Sequence, residues 1–192
     1  MKPHIVLLAA LASVSLLAFA QPTGKLDSSW IIAGKDPKKY EIGSVQNGVH
    51  RGNMAKFLRA KPSADDGSWA TLMQSFSARD YRGQRLRFQA QVRTEDISNW
   101  SGLWMRVDCE SHRSCSFYNS QDKPIKGTTG WQLRSVTLDV PADATEISFG
   151  VLGEGRGTVW IDELKMDPVG KDAKVDSMGA LEAIVTRSKP SL

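Results

Sequence analysis

The sequence predicts an antiparallel β-sandwich or barrel, because it combines two-residue periodicity with evenly spaced turn signals and few helical patterns. The alternation is clearest in residues 85–94, where Leu86, Phe88, Ala90 and Val92 are separated by Arg and Gln. A strand with one buried face and one wet face has this pattern. Similar but less regular segments follow at 69–77, 102–108, 132–140, 146–152 and 158–166. Short strands at a spacing of roughly 8–12 residues are typical of sandwiches and barrels.

The composition excludes several other classes of protein. The 192 residues are 41% hydrophobic and 24% charged, which excludes a disordered chain, a collagen and a coiled coil. The formal charge is +4, and basic residues are interleaved with acidic ones, so we expect no nucleic-acid partner. Six Trp against three Tyr is an unusual ratio and draws attention to the tryptophans.

The N-terminus, residues 1–20, has the pattern of a secretory signal peptide. Lys2 precedes an uncharged run over 5–20 that ends in Ala18-Phe19-Ala20, a small-residue cleavage pattern. A membrane anchor is the alternative, but the run is shorter than the roughly 20 residues that a spanning helix needs. We therefore expect a periplasmic or secreted protein with no membrane span after cleavage.

The rest of the chain divides into a β-sandwich domain over 21–168 and a C-terminal tail over 169–192. In the tail, Met178, Leu181, Ile184 and Val185 are spaced as in a short amphipathic helix. We expect this tail to be appended to the domain and to lie outside its core.

Cys109 and Cys115 flank a polar stretch between two strand-like segments. In an exported protein such a pair predicts a disulfide that closes the mouth of a hairpin. His112 lies between them, but two thiols and one imidazole at this spacing match no common zinc site.

Several stretches together resemble a group of bacterial domains that share the jelly-roll sandwich of carbohydrate-binding modules and galactose-binding-like domains. The matching stretches are Trp30-Ile-Ile-Ala-Gly34, Tyr40-Glu-Ile-Gly43, Thr71-Leu-Met-Gln-Ser-Phe76, Tyr81-Arg-Gly83, Gly102-Leu-Trp-Met-Arg-Val-Asp108, Gln121-Asp-Lys-Pro-Ile-Lys-Gly-Thr-Thr129 and Val159-Trp-Ile-Asp-Glu-Leu164. The resemblance implies a jelly-roll fold and a carbohydrate ligand. Related domains often carry the name of transcriptional regulators, sometimes through a fused DNA-binding domain. This sequence has no helix-turn-helix segment, so we do not expect that activity here.

The candidate binding residues are Trp104, Arg106, Asn119, Gln121 and Trp100. Trp104 shares the polar side of its strand with Arg106, and a large apolar side chain on a wet face is informative. Sugar rings pack their C–H faces on aromatic rings, while Arg, Asn and Gln bond the hydroxyls, so we predict stacking on Trp104. This hypothesis requires an indole that is open to the ligand. The alternative is that Trp104 packs under a loop or the tail. Trp30, Trp131 and Trp160 lie in more apolar surroundings and are expected in the core.

Asp162 resembles an aspartate near the last strand of several carbohydrate-binding modules, where it helps to bind a structural calcium ion. Calcium needs about six to eight oxygen ligands, and no spacing in this sequence identifies the others. A hydrogen-bonded aspartate at a strand end is the simpler interpretation. Apart from this candidate calcium, we expect no cofactor.

Motifs of common enzymes are missing from the sequence, which has no G-x-S-x-G, no P-loop and no H-E-x-x-H. We therefore predict an exported, non-catalytic β-sandwich that binds carbohydrate or cell-envelope glycan. The first alternative is a structural or protein-interaction module, in which the same face docks a protein or the tail. The second is a glycan hydrolase, which would need two carboxylates across a cleft.

Overall fold

The computed structural model describes residues 23–46, 48–50 and 54–178, so the predicted signal peptide and most of the predicted tail helix lie outside the described residues. The described residues form ten antiparallel strands and no α-helix. The strands are β1 (Thr23–Gly24), β2 (Ile31–Gly34), β3 (Tyr40–Val45), β4 (Ala55–Ala60), β5 (Trp69–Ser77), β6 (Arg85–Cys109), β7 (Ser116–Tyr118), β8 (Ile125–Asp139), β9 (Ala144–Glu154) and β10 (Thr158–Val169). Single 3-10 turns occur at Pro37–Lys39 and Arg79–Tyr81.

The strands form two layers that share β6. The first half of β6 lies between β8 and β10, and the layer continues through β4 and β3 to β1. The second half lies between β7 and β9, and this layer, called here the cleft sheet, continues through β5 to β2. The register between β6 and β8 shifts three times between Val92 and Ser101, where β6 passes from one layer to the other. Both layers therefore form one jelly-roll β-sandwich, as predicted.

The hydrophobic core lies between the two layers. The first half of β6 contributes Leu86, Phe88, Ala90 and Val92, and the second half contributes Leu103, Met105 and Val107, all of them fully buried. The core positions change from even to odd numbers because the shifts in the middle of the strand reverse its alternation. The outward positions of the second half are therefore Gly102, Trp104 and Arg106.

The predicted strand at 69–77 is confirmed with the same limits, and two predicted strands prove to be parts of the single long β6. The predicted disulfide between Cys109 and Cys115 is confirmed, with the Cα atoms 5.9 Å apart at the mouth of the β6–β7 hairpin. Trp30 and Trp160 are buried as predicted, while Trp131 is only partly buried against Trp160 and its neighbours.

The described part of the tail, 170–178, packs on the sandwich, although we expected the tail to lie outside the core. Val175 and Met178 are partly buried against the core, and Asp176 accepts a hydrogen bond of 2.9 Å from the amide of Thr137 in β8. Arg85 donates to the carbonyls of Lys171 and Ala173 and pairs with Asp139. These contacts place residues 170–176 against β6 and β8, in the layer opposite the cleft sheet.

Candidate functional site

A cleft of about 350 Å³ lies on the outer face of the cleft sheet. In the register of this sheet, Ala33 of β2 opposes Thr71 of β5, which opposes Leu152 of β9, which opposes Gly102 of β6. Residues at these positions, and at two-residue steps from them, point to the same side. The cleft is lined from β2 by Ala33 and Gly34, from β5 by Trp69, Thr71 and Met73, and from β9 by Leu152. On the other side it is lined from β6 by Trp104 and Arg106, and from the β7 region by Arg113, Phe117 and Asn119.

Trp104 is the floor of this cleft, not an open platform. Its side chain is only 6% exposed, and its Nε1–H donates a hydrogen bond of 2.6 Å to Thr71 Oγ1 in β5. Since β9 separates β6 from β5, the indole reaches across β9 near Gly150, which opposes Trp104 in the register. The prediction of a wet-face Trp104 is therefore wrong, because the indole is buried across its own sheet. Its part in ligand binding stays a prediction.

Gly150 is required at this crossing because strands β9 and β5 approach each other closely. A Cβ at this position would collide with the carbonyl oxygen of Leu72 in the neighbouring strand. The position therefore accepts only glycine, and the bare backbone leaves room for an indole to cross.

The aromatic rings that are open to the cleft are Trp69 and Phe117, and the sequence analysis did not identify either one. Trp69 is partly exposed at the start of β5, and Phe117 is 40% exposed in β7. Gly34, at φ +121°, opposes the next residue along β5, and a Cβ there would lie 3.0 Å from Cε3 of Trp69. A Cβ there would also lie 2.8–2.9 Å from backbone atoms of Trp69 and Ala70, so Gly34 permits the close approach of both the strand and the Trp69 ring. The available signal was the outward phase that Trp69 shares with Thr71.

Arg106 is held in the cleft by a chain of contacts that ends in the disulfide loop. Its Nε and Nη2 donate to Asp108 Oδ2 at 3.1 and 2.8 Å. The other oxygen of Asp108 accepts a hydrogen bond of 2.7 Å from the amide of Ser114, which lies between the two cysteines. Arg113, in the same loop, is exposed and lines the cleft. The disulfide thus fixes the segment that positions both arginines.

Asn119 follows β7, and its side-chain oxygen accepts a hydrogen bond of 3.1 Å from the amide of Gln121. This local turn fixes the side chain, with its carbonyl oxygen engaged by the backbone. Among the described residues no acceptor binds the amide nitrogen, which leaves it as a donor for a ligand. The structure therefore brings together three of the five predicted residues, namely Trp104, Arg106 and Asn119.

Trp100 and Gln121 lie in a neighbouring cleft of about 260 Å³. Trp100 Nε1 and Asn99 Nδ2 each donate to one oxygen of Glu154 at 2.7 Å, and the Trp100 side chain is 7% exposed. The five predicted binding residues are therefore divided between two clefts. Trp100 and Trp104 lie in the same register phase along β9, opposite Glu154 and Gly150, so they belong to different clefts because of their positions along β6.

Asp162 is buried in β10, where Oδ2 accepts from the amide of Val49 at 2.9 Å and Oδ1 accepts from the amide of Glu163 at 2.8 Å. The described residues contain no group of three or more His, Cys, Asp or Glu side chains that could hold a metal. These contacts match the hydrogen-bonded aspartate that was the alternative interpretation. The calcium site stays a prediction, and no step of the function proposed below depends on it.

No model of a known protein family matches the chain. One curated protein is 37% identical over 140 residues, the "uncharacterized HTH-type transcriptional regulator YbfP" of Bacillus subtilis (strain 168). The match covers 73% of this chain and 48% of that protein, so the chain spans about half the length of its relative. The expectation that relatives carry regulator names is confirmed, and that name describes the longer protein.

Similarity to solved structures confirms that this chain has the jelly-roll fold also found in carbohydrate-binding modules. The CBM22-1 xylan-binding domain of Paenibacillus barcinonensis Xyn10C superposes with a TM-score of 0.53 at 10% identity, over 79% of this chain and 97% of that one. The C-terminal family 22 carbohydrate-binding module of Clostridium thermocellum Xyn10B gives 0.51 at 15% identity, over 80% of this chain and 95% of that one. The Xyn10B structure concerns the role of cleft residues in ligand binding. In the described residues, no helix has the length and hydropathy needed to cross a membrane.

Proposed function

We propose that the protein is an exported, non-catalytic module that binds carbohydrate in the cleft between Trp69 and Phe117. The observation that carries the proposal is an apolar cleft on the outer face of one sheet, with a few polar groups directed into it. Ligand sites commonly combine apolar walls with a small number of such polar groups. The cleft volume, about 350 Å³, lies in the range of small-molecule sites.

Each part of the cleft has a distinct role in this proposal. The partly exposed rings of Trp69 and Phe117 offer surfaces on which the C–H faces of a sugar can pack. Arg106 and Asn119 supply donors for its hydroxyl groups. Trp104 forms the floor, so its contribution is to shape and rigidity.

Export is supported by the predicted signal peptide and by the disulfide between Cys109 and Cys115, because structural disulfides are typical of oxidising compartments. The non-catalytic role is supported by the chemistry of the cleft. Glycoside hydrolases generally use a pair of carboxylates, whereas the described residues that line the cleft supply two arginines and no carboxylate. The named xylan-binding and carbohydrate-binding structures of the same fold support the ligand class.

The test is affinity electrophoresis of the mature protein in gels that contain single soluble polysaccharides, including xylan, galactan, glucan and mannan. We expect at least one polysaccharide to retard the parent protein. Trp69→Ala should weaken that binding about tenfold or more, as expected for a central aromatic contact. Leu133→Ala is the control, since Leu133 is 60% exposed on β8 and is outside this cleft.

If no polysaccharide retards the parent, or if Trp69→Ala and Leu133→Ala bind equally well, the proposal is wrong. A structural or interaction module would then be the better assignment. Residues 170–176 of the tail contact the opposite layer, so they do not dock on this cleft, and the partner of such a module would be another protein.

A further inference from the structure

The charge of the cleft is one-sided. Two guanidinium groups line it, from Arg106 and Arg113, and no carboxylate does among the described residues. The cleft beside Trp100 has an acidic side chain in its lining, Glu154, and so does a third cleft between Tyr118, Lys123 and the tail, which Asp176 lines. The absence of an acid among its described lining residues distinguishes this cleft from those two.

Asp108, two residues after Arg106 in β6, is engaged through both of its carboxylate oxygens. One oxygen accepts from two nitrogens of Arg106, and the other accepts from the amide of Ser114. Asp108 therefore acts as a support for Arg106, and both of its oxygens already accept hydrogen bonds from the protein. Its single charge offsets only one of the two arginines.

Both guanidinium groups keep donors for a ligand. Asp108 occupies Nε and Nη2 of Arg106, and within the described residues Nη1 donates no hydrogen bond. Arg113 makes neither an ion pair nor a side-chain hydrogen bond with any described residue, although the chain has many acids. A guanidinium group matches the planar geometry of a carboxylate and binds it with charge-assisted hydrogen bonds.

We propose that the cleft selects a glycan that carries carboxylate groups, that is, one containing uronic acid residues. The inference rests on the proposed carbohydrate-binding function and names the class of sugar. In this arrangement the ring packs on Trp69 or Phe117, while its carboxylate lies between Arg106 and Arg113. A neutral sugar would leave the positive charge of the cleft without a counterpart.

The test is isothermal titration calorimetry with matched pairs of ligands at low salt. Each pair consists of an acidic oligosaccharide and the same oligosaccharide with its carboxylates converted to methyl esters. One pair is based on oligogalacturonate and a second on oligoglucuronoxylan. We expect the acidic member of at least one pair to bind about tenfold more tightly than its ester, because hydrogen bonds to charged groups are the stronger ones. The preference should fall as NaCl is raised. A sulfated oligosaccharide is included to separate carboxylate recognition from general attraction of anions.

Variants locate the recognition in the cleft. Arg113 is exposed, so Arg113→Gln should fold normally and should reduce the acid preference about two- to fivefold, as for an exposed ion pair. Arg113→Lys should retain part of the preference, since it keeps the charge. Arg59→Gln is the control, because Arg59 lies in β4 of the opposite layer and pairs with Glu41. Thermal unfolding of each variant confirms that it is folded.

The outcomes separate the two proposals. Equal binding of acid and ester overturns the inference and retains the carbohydrate-binding function. An acid preference that Arg113→Gln leaves unchanged, or sulfate binding as tight as carboxylate binding, also overturns it. The absence of binding to every acidic and neutral glycan overturns both proposals.

Discussion

The hydrogen bond between Trp104 and Thr71 should be a measurable source of stability, because it joins two buried groups across an intervening strand. Trp104 is 6% exposed and Thr71 is 4% exposed, and the bond length is 2.6 Å. Thr71→Val removes the acceptor and leaves the indole N–H without a partner, which should cost about 1–3 kcal/mol. Trp104→Phe removes the donor, while Thr71 Oγ1 keeps its own bond of 2.9 Å to the carbonyl of Val151.

A double-mutant cycle measures the bond itself. If the bond is as the structure shows, the two single variants should lose more stability in sum than the double variant loses. The expected coupling is about 1–2 kcal/mol, since the double variant has no indole N–H left unpaired, while the loss of the Thr71–Val151 bond is common to Thr71→Val and the double variant and cancels in the cycle. The free energy of unfolding is measured by urea denaturation at neutral pH, with equal m-values as the condition for comparison.

The reasoning is refuted if the two substitutions are additive within about 0.5 kcal/mol, as they are for sites that do not interact. Trp104 would then be packed in the cleft floor without the bond that fixes its orientation. A second readout is glycan binding, where Trp104→Phe should weaken binding less than Trp69→Ala does. If Trp104→Phe weakened binding more than Trp69→Ala, Trp104 would be the residue on which the sugar stacks.

Three further predictions concern stability. Replacing Cys109 and Cys115 together by Ser should lower the free energy of unfolding by about 2 kcal/mol, the chain-entropy value for so short a loop; chemical denaturation measures it, and no change would show that the loop is held by other contacts. Hydrogen bonding from Arg85 lowers the pKa of Asp139 below its usual value of 3.8, and this effect outweighs the opposing effect of burial. Because the folded pKa is lowered, the stabilisation by the Arg85–Asp139 pair is present above about pH 4 and is lost as the pH falls through the folded pKa. The hydrogen-exchange protection factors of 170–176, which correct for the pH dependence of the intrinsic rate, should fall in that window, and Asp139→Asn should remove this pH dependence. Ser114 has a φ of 61°, so Ser114→Gly should stabilise the protein by up to about 1 kcal/mol in the same denaturation assay, and a loss of stability would contradict the expected relief of strain.

The alternation in the sequence is clearest where a strand keeps one wet face. In the first half of β6, buried and partly exposed residues alternate without a break, and the pattern is visible in the letters. β3 and β4 lack this pattern because a second apolar cluster of Val45, Ala55, Phe57 and Trp160 covers part of their outer face. Where both faces are covered, alternation of residue type weakens, as it does in the less regular predicted segments at 146–152 and 158–166.

The same reason limits how far the site could be predicted. Alternation correctly placed Trp104 and Arg106 on the same face of the sheet. It did not predict whether that face is exposed, and six consecutive residues from Trp100 to Met105 are in fact buried. The indole is buried because it crosses Gly150 to Thr71, residues that lie 46 and 33 positions away in the chain. Only the register of three strands brings these positions together.

Of the two arginines in the cleft, the sequence predicted Arg106 and not Arg113, and the contacts that hold Arg106 are local. Arg106, Asp108 and Ser114 lie within one hairpin whose mouth is closed by a disulfide that the cysteine spacing predicted. Short-range contacts in a closed loop follow from spacing, since few other arrangements are available to them. The aromatic wall depends instead on Trp69 of β5, a strand that β9 separates from β6 in the sheet. A composition rich in tryptophan therefore indicates that an aromatic site is available, and the sheet register decides which tryptophan is open to a ligand.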